Sequence, residues 1–175
     1  MTTLELLICL LPIIFMIHDF EEIILFKYWI SKNKTFLINR FPQLSSRLLA
    51  RFEKLSTSGF TLAVAEEFVL LSLITYSSIY FKFYYLWLSI FMVFFIHLII
   101  HLIQWIILRK YIPAILTTIL ILPYCIYTLK VVLDYKVFRM YEIALLSILG
   151  LVIIGLNLIL AHKLAAIFDK WINVE

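Results

Sequence analysis

The 175-residue sequence has little glycine, proline, cysteine or charge. Three Gly and four Pro are too few for a disordered low-complexity chain or a collagen-like chain. The two cysteines, Cys9 and Cys125, stand alone within apolar runs, so they indicate neither a disulfide framework nor a C-x-x-C site. Only 15% of the residues are charged, against about a quarter in ordinary soluble domains. This composition excludes a cytosolic enzyme and a nucleic-acid-binding module.

Apolar residues are abundant instead: they make up 65% of the chain, and the mean hydropathy is +1.06. A helix needs about 20 predominantly apolar residues to cross the hydrocarbon core of a membrane. The sequence predicts an all-α polytopic membrane bundle that occupies residues 1–175 as a single domain. Its predicted spans lie at about 4–28, 58–80, 84–108, 112–133 and 141–162.

Lysine and arginine are distributed unevenly around these spans. Ten of them lie in the connector 31–57 or directly after the third and fifth spans, whereas four lie at the opposite ends of the spans. The positive-inside rule therefore predicts a multi-pass protein of the cell membrane with its N-terminus outside and with the connector and C-terminus in the cytoplasm.

The connector has a pattern of its own, in which apolar residues recur at steps of three and four with basic residues between them. This pattern predicts an amphipathic helix in the membrane interface, either a surface anchor or a lid beside a site. The apolar positions are Phe41, Leu44, Leu48, Phe52 and Leu55.

Ionisable residues within the spans are costly, so each of them suggests a functional site. Five acids and all four histidines lie within the predicted spans: Asp19, Glu21, Glu22, Glu66, Glu67, His18, His97, His101 and His162. At about 1.5 Å per residue, Glu22, Glu66 and His101 each lie about 12–13 Å from the cytoplasmic end of their span. Three helices therefore place polar residues in one layer, in the cytoplasmic half of the membrane.

Helical spacing groups the members of this layer. His18, Glu21 and Glu22 share one helix face, and so do His97 and His101, whereas adjacent Glu66 and Glu67 diverge by about 100°. The layer contains no lysine or arginine, so its carboxyl groups must be protonated, share protons with histidine, or bind cations.

Imidazole and carboxylate together suit zinc, iron or manganese. We predict a divalent transition metal cofactor, either zinc or a carboxylate-bridged di-iron or di-manganese pair. The predicted ligands are His18, Glu22, Glu66, His97 and His101, and the predicted catalytic acid–base residues are Glu21 and Glu67. A proton relay and a polar packing network are the alternative interpretations of the layer.

The segment His18-Asp19-Phe20-Glu21-Glu22 is an H-x-x-E-E motif in a first transmembrane helix. Together with Glu66-Glu67, His97-x-x-x-His101 and Tyr111-Ile112-Pro113-Ala114, it resembles the HXXEE-domain family of bacterial integral membrane proteins. That family commonly has glycine where this sequence has Ala114. The resemblance implies the naming residues His18, Glu21 and Glu22, but it implies no activity, because the family has no assigned function.

The leading hypothesis from the sequence is a membrane-embedded metal-dependent enzyme that hydrolyses or oxidises a lipid or another hydrophobic molecule. The alternatives are a proton- or ion-coupled carrier that uses the same layer and a non-catalytic interaction or immunity protein. Membrane lipid and a hydrophobic substrate are the expected partners, a homo-oligomer is compatible with the sequence, and no nucleic acid is expected.

Overall fold

A computed structural model describes residues 2–43, 49 and 55–172. The described residues form five long helices, and no strand occurs among them. Each helix is long and apolar enough to cross a membrane, which confirms the predicted all-α fold with five helices of transmembrane length. In chain order the helices are α1 (Thr3–Arg40), α2 (Thr57–Phe81), α3 (Tyr85–Leu108), α4 (Ile115–Asp134) and α5 (Met140–Ile172).

Two helices continue beyond their apolar spans. Helix α1 begins at a capping box between Thr2 and Glu5 and runs through Pro12 into the basic segment 31–40. Helix α5 continues past residue 162 to Ile172. Most of the predicted interfacial helix, residues 44–48 and 50–54, lies outside the described residues, and the orientation across the membrane stays a prediction.

The helices pack as a closed ring. Following the most extensive contacts, the order around the ring is α1, α2, α5, α3 and α4, with α4 returning to α1. Smaller contacts cross the ring from α3 to α1 and from α3 to α2. Helix α1 therefore has α2 on one side, α4 on the other and α3 opposite, and this arrangement decides which residues its polar side chains can meet.

Apolar side chains fill one end of the ring and cover its outside. Trp87 and Phe91 of α3 are completely buried and stack with their ring centroids 5.1 Å apart. Many large apolar side chains remain exposed on the outer faces, for example Ile24, Leu120 and Leu156. Such an apolar exterior is the surface that a membrane requires.

Asp169 near the end of α5 holds the start of α2. Its carboxylate accepts hydrogen bonds from the Ser56 backbone N–H at 3.1 Å and from the Ser56 hydroxyl group, while Ser56 caps α2. A Cβ atom on Gly59 would lie 2.6 Å from the same carboxylate. The small residue in the first turn of α2 therefore permits this approach of α5.

Gly150 allows a second close approach, between α5 and α3. A Cβ atom at this position would lie 2.2 Å from the Ser89 carbonyl oxygen and 2.7 Å from a methyl group of Val93. Gly155, on the same helix, has nothing within 4 Å of the equivalent position. The two glycines therefore make a matched pair.

We expect Gly150→Ala to destabilise the bundle by about 1–3 kcal/mol, because α5 must move away from the α3 backbone. Gly155→Ala should be neutral or stabilising by up to about 1 kcal/mol, because alanine favours the helix. Thermal unfolding of the two variants in the same detergent checks this expectation. Equal midpoints for the two would contradict the close packing of α3 on α5.

Candidate metal centre

Four side chains from α1 and α3 meet across the ring. His18 and Glu22 are one turn apart on α1, and His97 and His101 are one turn apart on α3. Each residue contributes one nitrogen or oxygen atom to a group whose atoms all lie within 4.8 Å of one another. These four residues are called the His/Glu cluster below.

The distances inside the His/Glu cluster suit a shared metal ion. His101 Nε2 lies 2.9 Å from His97 Nε2 and 3.0 Å from Glu22 Oε1. Two ligands of a tetrahedral zinc ion with bonds of about 2.0–2.1 Å are separated by about 3.3–3.4 Å. Only small shifts of the side chains would therefore place these three atoms around one ion.

Burying the polar atoms of the His/Glu cluster costs free energy unless each atom has a partner. His18 is fully buried and His101 is 7% exposed. His18 Nε2 and His101 Nδ1 have no hydrogen-bond partner among the described residues. An unsatisfied polar atom in an apolar interior costs several kcal/mol at most and about 1–3 kcal/mol by mutational measures. A ligand on His18 Nε2 would remove one such cost.

Glu21 takes no part in the His/Glu cluster but binds the start of α4. Its carboxylate accepts hydrogen bonds from the Thr117 backbone N–H at 2.8 Å, the Thr117 hydroxyl group at 2.7 Å and the Leu116 N–H at 3.4 Å. The Tyr111 hydroxyl group donates a further bond. Free N–H groups at a helix N-terminus attract a carboxylate, so Glu21 anchors α4 on α1.

The turn before α4 brings these donors to Glu21. Ala114 has a φ of 69°, a left-handed conformation that favours glycine, and it directly precedes the helix. This is the position at which the sequence has alanine in place of the expected glycine. Partial burial and the bond to Glu21 raise the pKa of Tyr111 to about 12. Its hydroxyl group therefore stays protonated at neutral pH and donates a hydrogen bond to Glu21.

Thr117 also connects Glu21 to His18. Its Oγ1 lies 3.2 Å from His18 Nδ1, 2.7 Å from Glu21 Oε2 and 3.1 Å from the Ala114 carbonyl oxygen. Glu21 Oε2 and the Ala114 carbonyl oxygen can only accept, so the Thr117 hydroxyl group donates its one proton to one of them. The hydrogen bond between Thr117 and His18 must then be donated by His18, and we assign its proton to Nδ1. This tautomer leaves a lone pair on the buried Nε2, the form in which histidine binds a metal.

The two adjacent acids of α2 point to different places. Glu67 lines a cavity together with Asp19, Glu22 and His97. Glu66 accepts a hydrogen bond of 3.0 Å from the Asn157 side chain and lines a separate groove between α2 and α5. Of the predicted ligands, the structure therefore brings together all except Glu66. Of the two predicted catalytic acids, Glu21 contacts the start of α4 and Glu67 lines the cavity beside Glu22.

Two cavities border the His/Glu cluster. The first, of about 210 Å³, lies inside the ring between α1, α2, α3 and α5. The second, of about 590 Å³, lies towards the end of α1 and the end of α3. Glu22, His97, Phe60 and His162 line both cavities, so the His/Glu cluster is accessible from each of them.

The predicted site residues include neither Asp19 nor Thr117. Asp19 had a usable signal, because it is an ionisable residue within a span. Thr117 had only a weak one, because a threonine in an apolar helix usually bonds to its own backbone.

The fold and the His/Glu cluster define an all-helical protein with helices of membrane-spanning length and with a group of metal-ligand type that is buried at His18 and His101. The sequence family described as "Protein of unknown function with HXXEE motif" matches residues 9–128. The chain belongs to this family, as the resemblance from its motifs predicted. No curated protein and no solved structure matches the chain significantly.

We expect Glu21→Ala to lower the stability of the metal-free protein by about 1–3 kcal/mol, because the N–H groups at the start of α4 lose their acceptor. Glu22→Ala should lower that stability less, since Glu22 has one such contact, to His101 at 3.0 Å, whereas Glu21 accepts four hydrogen bonds. Unfolding of both variants with a chelator present measures the difference. A larger loss in Glu22→Ala would contradict the anchoring role of Glu21.

Proposed function

We propose that the protein is a membrane-embedded metal-dependent enzyme that holds a divalent transition metal at the His/Glu cluster. The observation that carries this proposal is the convergence of three imidazoles and one carboxylate, with all four ligand atoms within 4.8 Å of one another, where His18 and His101 are buried and Glu22 and His97 are half-buried. Histidine with carboxylate is a ligand set for zinc, iron or manganese. Neither adjoining cavity has a lysine or arginine among its described lining residues to neutralise Glu22 instead.

We favour one ion over a pair. A bridged pair would require further carboxylates at the centre, as in di-iron bundles. Glu66 bonds Asn157 instead, Glu21 is occupied by the start of α4, and Asp19 and Glu67 line the neighbouring cavity but do not belong to the His/Glu cluster. Zinc with three or four such ligands is the simplest occupant.

The residues around the ion would divide the remaining tasks. When bound, a zinc ion would supply Lewis-acid activation of water for hydrolysis, whereas iron would supply redox chemistry. Glu67 lines the cavity beside Glu22 and is the carboxyl group that we assign as proton acceptor. Glu21 positions His18 through Thr117 and takes no proton from substrate.

Apolar side chains dominate the lining of both cavities, which supports a lipid or another hydrophobic molecule as substrate. Such a molecule would reach the ring from the surrounding membrane. Water would be scarce there, which strengthens every electrostatic interaction at the ion.

Protein purified in detergent should contain zinc, iron or manganese at about one ion per chain. His18→Ala and His101→Ala should each lose most of that metal, because each removes one of four ligands. His162→Ala is the matched control, since His162 lines both cavities but lies outside the His/Glu cluster. Elemental analysis and competition with a chelator measure content and affinity.

A wild-type protein that stays metal-free after incubation with all three ions would contradict the proposed centre. Proton flux into liposomes that disappears in Glu22→Gln would then support the carrier alternative.

Thr117→Val should weaken metal binding by about 10–100-fold, the usual effect of losing the partner of a metal-bound histidine. Thr117→Ser should restore most of the affinity, because it restores the hydroxyl group. Thr118→Val is the control: Thr118 is fully buried, and its hydroxyl group has no partner among the described residues. Chelator competition on folded protein measures the affinities, and equal values for the two valine variants would contradict the role of Thr117.

A further inference from the structure

The cavity inside the ring has an apolar part and an acidic part. Apolar side chains from four helices form most of its wall, among them Phe15, Val64, Ile90 and Leu158. Its acidic part is formed by the carboxyl groups of Asp19, Glu22 and Glu67. A molecule that fills this cavity must therefore be apolar over most of its surface and polar at one end.

Asp19 is not a member of the His/Glu cluster. It is only 5% exposed and lines the cavity, and no hydrogen bond from another described residue reaches its carboxyl group. Leaving a carboxyl group unsatisfied in an apolar interior is costly. A hydrogen-bond donor inside the cavity would remove this cost.

Glu67 is a second side chain of this cavity that requires a hydrogen-bond donor. It adds a further carboxyl group beside those of Asp19 and Glu22, and the described lining residues include neither lysine nor arginine. The basic groups of the lining are two imidazoles, His97 in the His/Glu cluster and His162 on α5. The described lining therefore offers Asp19 and Glu67 no lysine or arginine as a counter-ion.

We propose that this cavity binds an amphiphile with an amine head group and an apolar tail, and that this amphiphile is the substrate class of the enzyme proposed above. An ammonium group offers three N–H donors, enough to serve both carboxyl groups. An amine and a carboxyl group share one proton, so the pair is satisfied whichever of them holds it. A carboxylate or phosphate head group would instead meet the acidic side chains of Asp19, Glu22 and Glu67 and no lysine or arginine of the described lining.

The acidic part of the cavity lies beside the His/Glu cluster, so a molecule bound there would be close to the proposed metal. Glu22 and His97 line the cavity beside Asp19 and Glu67 and also belong to the His/Glu cluster. An amine held by the two carboxyl groups would therefore lie next to the metal centre, and its tail would extend among the apolar side chains of α2, α3 and α5.

The test compares three eight-carbon probes that differ only in the head group: octylamine, octanol and octanoate. Binding of radiolabelled octylamine to wild-type protein in zwitterionic nanodiscs is displaced by each unlabelled probe, with empty nanodiscs as the correction for partition. Octylamine should bind at least about tenfold more tightly than octanol, the usual gain of a charge-assisted hydrogen bond. Octanoate should compete least.

The variants Asp19→Asn and Glu67→Gln should each lower octylamine affinity by about tenfold or more and leave octanol affinity nearly unchanged. Glu66→Gln is the matched control, because Glu66 is the neighbour of Glu67 but lies outside this cavity. Octanoate binding as tightly as octylamine, or an equal response of Glu66→Gln and Glu67→Gln, would overturn the proposal.

Repeating the competition with chelated wild-type protein and with His101→Ala separates this inference from the metal centre. Amine selectivity that persists in a protein that never takes up metal would support the cavity and refute only the metal-dependent function. A protein that binds metal but shows no preference for octylamine would refute the cavity assignment alone.

Discussion

The structure depends on the cost of holding carboxyl and imidazole groups in an apolar bundle. In water these groups would be solvated, but inside a membrane each must find a partner within the protein or in a ligand. The chain meets this requirement in three ways. Glu21 is satisfied by the start of α4, Glu66 by Asn157, and Glu22 by His101. His18 Nε2 and the carboxyl group of Asp19 are among the groups that no described residue satisfies, and they are the groups to which we assign the proposed metal and the proposed ligand.

Helical rotation points the polar side chains of the short motif His18-Asp19-Phe20-Glu21-Glu22 towards different neighbouring helices. At about 100° per residue, Glu22 lies about 40° from His18, Asp19 about 100° to one side and Glu21 about 60° to the other. Helix α1 has α3 opposite, α2 on one flank and α4 on the other. His18 and Glu22 therefore meet the histidines of α3, Asp19 shares a cavity with Glu67 of α2, and Glu21 reaches Thr117 of α4.

Much of this arrangement was predictable from local sequence. Long apolar runs predict five helices, because a membrane admits few other structures. The spacing of His97 and His101 places both on one face of α3, and the depth of Glu22 matches that of His101. The choice between Glu66 and Glu67 was not predictable, because adjacent residues differ only in rotation and the direction of the ring interior depends on where α5 packs. The role of Glu21 was missed for a similar reason, since its partners lie about 90 residues further along the chain.

The sequence by itself determined that this chain forms apolar helices and that its histidines and acids are isolated from lysine and arginine, because both properties follow from composition and helical period. It also determined the family, through residues 9–128. Only the tertiary structure decided that His18, Glu22, His97 and His101 share one centre, that Glu21 supports it from outside, and that Asp19 and Glu67 face a cavity. The physical reason is that partner choice depends on the order of helices around the ring, which is set by close contacts such as Gly150 against Ser89 and by the anchor between Glu21 and α4.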